Sequence, residues 1–175
     1  MDETKFWNLL ARSLQHGSSA QYDTLVSLLE DLPSIELVRF EQIYDCFVAA
    51  AEKGGIYGAS ALLTGSNLSD DSFLYFRNWL VAQGREVYEQ ALVEPDTLSA
   101  LPEVDPEDGA WDQDIVSAAW DVLGGRADKD VADDADDDPC EAEGEHFDWM
   151  EYTPAVLQQK FPRLWERYGA RFRAD

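Results

Sequence analysis

The stretch SDDSFLYFRNWLVAQGREVYEQA, Ser69 to Ala91, decides the fold class. Ser69 or Asp70 is suited to cap a helix, because a short side-chain oxygen accepts the free N–H groups of a first turn. Asp71 adds negative charge at the positive end of the helix dipole. Phe73, Phe76 and Leu80, with Gln83 one turn on, recur at helical spacing, and Trp79 widens the stripe. Gly84 can take a left-handed conformation and end or bend the helix. A second short helix carries Val87, Tyr88 and Ala91 until Pro95 stops it. Two readings of the polar residues are open. In one, Arg77 pairs with a nearby carboxylate and the aromatics are core. In the other, Arg77, Gln83 and Tyr88 line a groove that recognises a partner or ligand, with Asp70, Asp71 and Trp79 beside it.

Working outward, the same periodicity continues in both directions. Phe6, Leu9, Leu10 and Leu14 form one face of a first helix over residues 2 to 15, which Asp2 can cap. A second helix runs from Ser18 or Ser19 to Pro33. A third, from Ser34 to about Lys53, carries Phe40, Ile43, Tyr44 and Phe47. Ile56 to Leu63 reads as a short helix or connector, and Asp112 to Leu123 as another helix. Thr153 and Pro154 open a last one, with Pro162 placed to kink or split it. The predicted fold is an all-α, compact, single-domain bundle of about seven helices without a substantial sheet. Residues 1–125 form the helical core in this reading. Residues 126–146 form a mobile acidic loop, and 147–175 a C-terminal helix packing back on the core.

The charge is concentrated. Of a net −23, residues 94–151 contribute −19, from 21 acidic and 2 basic side chains. The run DKDVADDADDDPCEAEGE within it is too poor in large apolar groups to offset its ordering entropy. Such charge argues against direct contact with nucleic acid or an anionic membrane surface, and it permits a basic protein partner. The start, MDETKFW, is not a signal peptide, and no apolar run reaches the roughly 20 residues of a membrane helix. A cytoplasmic protein is expected. Arg163, Arg167 and Arg171 recur every four residues and form a basic face against which part of the acidic segment 126–146 is expected to dock.

Chemistry is sparsely signalled. The histidines are His16 and His146, and Cys46 and Cys140 form no paired metal-binding motif. No nucleophile elbow, phosphate-cradling loop or H-E-x-x-H zinc motif is present. Asp134, Asp136, Asp138 and Glu145 match positions 1, 3, 5 and 12 of a calcium loop, but Pro139 stands where that loop needs glycine. No cofactor is expected beyond weak divalent-cation binding by this run.

The motifs Asp70-Asp71-x-Phe73, Phe76-Arg77-x-Trp79-Leu80-x-x-Gln83-Gly84 and Tyr88-x-x-Ala91, with Phe6-Trp7-x-Leu9 near the start, resemble a bacterial domain-of-unknown-function family over roughly residues 1 to 125. The resemblance implies a compact helical domain, sometimes attached to regulator-like proteins, and implies no activity. The favoured function is therefore a non-catalytic protein-interaction or regulatory module. The alternative is a metal-dependent hydrolase using Asp70, Asp71, Arg77 and His146.

Overall fold

Caps and glycines set where the helices begin and end. Lys5 N–H donates to the Asp2 carboxylate at 2.8 Å and starts α1 (Glu3–Ser13). Ser72 N–H donates to the Ser69 hydroxyl at 3.2 Å and starts α5 (Asp70–Ala82). Gly84, at φ 88°, turns the chain from α5 into α6 (Arg85–Val93), a conformation that a side chain resists. The computed structural model describes residues 1–102, 114–128 and 144–172. The described helices also include α2 (Gln21–Glu30), α3 (Ser34–Ala50), α4 (Gly54–Thr64), α7 (Ala118–Gly124), α8 (Pro154–Lys160) and α9 (Pro162–Tyr168). Short 3₁₀ turns link them, notably Pro95–Ala100 and Asp114–Ser117.

The architecture is all-α, and among the described residues extended pairing is limited to an isolated bridge at Ser66. Nine α-helices are described rather than about seven. One reason is at Phe161–Pro162, where a residue lacking an N–H divides the last helical segment into α8 and α9. Of the stretch expected as a helix from Asp112 to Leu123, the described part is the 3₁₀ turn Asp114–Ser117 followed by α7 from Ala118. Most of the acidic run, with Asp134, Asp136 and Asp138, lies outside the described residues.

Aromatic side chains join the helices. Phe6 of α1 meets Phe40 and Phe47 of α3 with ring centroids 5.0 and 5.4 Å apart. Trp7 lies 4.5 Å from Phe47 and 5.5 Å from Tyr88 of α6. Buried phenols find acceptors, as buried hydroxyls must. Tyr88 donates to Phe47 O and Tyr44 to Asn78 O, both at 2.7 Å. At the centre is α4, buried continuously from Ile56 to Leu63. Its Gly58 allows Phe161 and Tyr152 to lie directly on the helix backbone: a Cβ there would come within 2.5 Å of Phe161 Cε2.

Polar ties fix the outer elements. Asp96, buried in the Pro95–Ala100 turn, accepts the N–H groups of Arg163 (3.0 Å) and Leu164 (2.8 Å) at the start of α9, and also Arg163 Nε (3.1 Å). Arg163 reaches Glu94 as well, and Arg167 donates to the carbonyls of Ser99 and Leu101. Among the described residues the carboxylates that meet Arg163 are Glu94 and Asp96, which precede the acidic segment expected there; most of that segment lies outside the described residues. At the other end, Arg126 donates to Glu30 O (2.8 Å) and Leu32 O (2.5 Å) and closes the C-terminus of α2.

Candidate functional site

Where α3 gives way to α4, the chain segment from Gly144 returns to the body. Glu145 N–H donates to Glu52 O at 2.6 Å, and the Glu145 carboxylate accepts Gly54 N–H at 3.3 Å. Gly54 carries no side chain, and a Cβ there would collide with the Tyr152 hydroxyl and crowd Phe147 Cβ at 3.2 Å. The returning segment therefore sits flush on the helix junction. Phe147 then packs 5.5 Å from Tyr57 of α4 and 6.0 Å from Phe73 of α5.

This seating encloses a pocket of about 500 Å³. Its floor is built by Tyr57, Leu68, Phe73 and Arg77, and its outer wall by Glu145, His146, Phe147 and Trp149. Glu52, Ser69 and Asp70 complete the rim. The Tyr57 hydroxyl donates to Leu68 O at 3.2 Å and accepts Leu68 N–H at 3.3 Å, which fixes the loop leading to Asp70. Burial raises the Tyr57 phenol above its ordinary range, the Leu68 backbone contact partly opposes this, and the Asp70 charge adds to it. Tyr152, next to the wall, is raised by burial and by the charges of Glu145 and Glu151.

Arg77 is the buried cation of the floor. Its Nη1 donates to Glu52 at 2.9 Å and to Val48 O at 3.1 Å, and its guanidinium carbon lies 5.1 Å over the Phe73 ring. The carboxylate pairing read from sequence is therefore the one observed, and the partner is Glu52. Arg77 Nε is buried without a hydrogen-bond partner among the described residues.

The structure brings the residues of the hydrolase alternative, Asp71 apart, together with one from the calcium-loop pattern. Asp70 and Arg77 share the pocket with Glu145, taken from the calcium-loop pattern, and with His146, taken from the hydrolase alternative. It does not bring Arg77, Gln83 and Tyr88 into one groove. Gln83 ends α5 with its amide donating to Trp79 O at 3.1 Å, and it lines a different concavity beside Trp7 and Val87. Tyr88 turns inward to the Phe47 carbonyl because Gly84 redirects α6. Trp79 is buried against Phe76, with centroids 5.2 Å apart, and Asp71 is exposed in the first turn of α5. Glu52, Tyr57, Phe73, Phe147 and Trp149 were not read as site residues. Aromatic and acidic residues are too common along this chain for any one to stand out, although the return of large apolar groups after the acidic run was a signal.

Among the described residues, no three His, Cys, Asp or Glu side chains gather closely enough to hold a metal ion. No described helix is long and apolar enough to cross a membrane. A family model for proteins of unknown function, DUF4240, matches residues 1–127. The chain belongs to the DUF4240 family. The domain-of-unknown-function resemblance read from the sequence agrees with this. Neither a curated protein nor a solved structure matches the chain. Within this DUF4240 protein the matched region supplies the pocket's floor and Glu52, while the wall of Glu145, His146, Phe147 and Trp149 lies beyond the match.

Proposed function

We propose that this DUF4240 protein is a non-catalytic interaction module, and that a protein partner engages it at the pocket between α4, α5 and residues 145–149. The observation that carries the reading is Trp149. Its indole is 53% exposed at the pocket wall and makes no ring contact with another described residue, and Met150 beside it is 68% exposed. Large apolar groups held at the mouth of a concavity are what a recognition surface presents.

The test uses affinity capture from lysate with the full chain and with Trp149→Ala and Asp70→Ala, followed by rebinding of the purified candidate. Both side chains are exposed, so the variants should keep the native circular dichroism. The reading expects a polypeptide that wild type retains and both variants lose, and that rebinds as a purified protein. Identical capture by all three proteins would remove the support for this site.

A further inference from the structure

The composition of the pocket names the chemistry of its occupant; this step rests on the interaction reading above. Glu52, Asp70 and Glu145 surround the cavity, against the single guanidinium of Arg77. That guanidinium is already committed to Glu52, to Val48 O and to the Phe73 ring. Asp70 is uncommitted: it makes no hydrogen bond or ion pair with another described residue. Tyr57, Phe73, Phe147 and Trp149 supply the apolar lining.

We infer that the pocket receives a cationic side chain, lysine or arginine, presented by a basic polypeptide. A ring attracts a cation to its negative face, and the attraction grows as water is excluded. Trp149 is the ring least engaged by the described fold, and Asp70 is the lining carboxylate with no hydrogen-bond or ion-pair partner among the described residues, so these two hold the incoming charge. With Glu52 paired to Arg77, an anionic ligand still meets the charges of Asp70 and Glu145 in a chain of net charge −23 and is repelled. A purely apolar ligand would bring the rim carboxylates nothing in exchange for their lost water. A volume of about 500 Å³ accommodates a long side chain with part of its flanking backbone.

The test is a titration of the ¹⁵N-labelled full chain with acetyl-Gly-Lys-Gly-amide, its arginine counterpart and the neutral norleucine isostere. The readout is the indole N–H resonance of Trp149, assigned by Trp149→Phe. Saturable shifts with the lysine or arginine peptide, absent with norleucine, are expected. Asp70→Asn should weaken binding about two- to fivefold, as removal of one exposed charge partner does. Equal binding of the norleucine peptide, no saturable shift with any peptide, or an affinity unchanged by Asp70→Asn would each overturn the inference. Partner capture that still depends on Trp149, with lysine and norleucine peptides competing equally, would sink the cation and leave the interaction reading standing. A lysine peptide that binds the pocket, with no partner retained, would sink only the interaction reading.

Discussion

Replacing Glu41 by glutamine should make the protein more stable, by a margin that grows as pH rises from about 5 to about 8. Glu41 is 4% exposed on α3, facing α7, and one carboxylate oxygen lacks a hydrogen-bond partner among the described residues. Burial pushes its carboxyl up to about 8, Asp45 and Asp121 add repulsion, and the backbone N–H groups of Ala119 and Trp120 oppose the rise. The unfolded chain ionises the same group near 4.5. Between these values the folded state holds a proton that the unfolded state has released. Stability attached to Glu41 is therefore full below about pH 4.5, falls as pH rises, and is lost above about pH 8. At about 1.4 kcal/mol per pH unit, the gap amounts to on the order of 4–5 kcal/mol. Glutamine keeps the shape and an acceptor for the α7 N–H groups and never ionises. Urea midpoints measured for both proteins at pH 5 and pH 9 separate this effect from the general repulsion of an acidic chain, which the two share. Near equality at pH 5, with the variant ahead by several kcal/mol at pH 9, is expected. A wild-type-to-variant difference that stays constant within about 1 kcal/mol across that range would refute the reasoning.

Two further expectations concern stability. Asp96→Ala removes a buried carboxylate that accepts three hydrogen bonds at the start of α9, so urea denaturation should show a loss of about 3 kcal/mol; a loss below about 1 kcal/mol would mean that α9 does not depend on that cap. Gly58→Ala forces a methyl against Phe161 and Tyr152 and should cost about 1–3 kcal/mol by thermal unfolding, whereas Gly124→Ala, with no atom within 4 Å of the new Cβ, should be nearly neutral. Equal effects of the two substitutions would contradict the close packing on α4.

What the sequence made legible was local. Asp2, Ser69 and Gly84 act within one turn of themselves, so their roles could be read from their neighbours. The apolar stripes of α1, α3 and α5 are periodic, and periodicity is a property of a window rather than of a fold. Asp96 shows the opposite case: its partners lie 67 and 68 residues away, and nothing around it distinguishes it from the other aspartates. Glu41 is similar, since α7 buries it and a lone glutamate on α3 reads as solvated. For the site, Asp70, Arg77 and His146 stand together in the hydrolase alternative, whereas Glu145 stands apart in the calcium-loop pattern. Only the seating of Glu145 on Gly54 and Glu52 brings them to one place.

That seating has a consequence for how recognition can diverge. The anchor is made by main-chain atoms of residues 52, 54 and 145, with one carboxylate, and His146 and Trp149 take no part in it. Substitutions at those two positions can alter which visitors are admitted while the anchorage, and the aromatic body beneath, stay as they are. On the interaction reading proposed above, selectivity would then reside in an exchangeable collar clipped to a permanent socket.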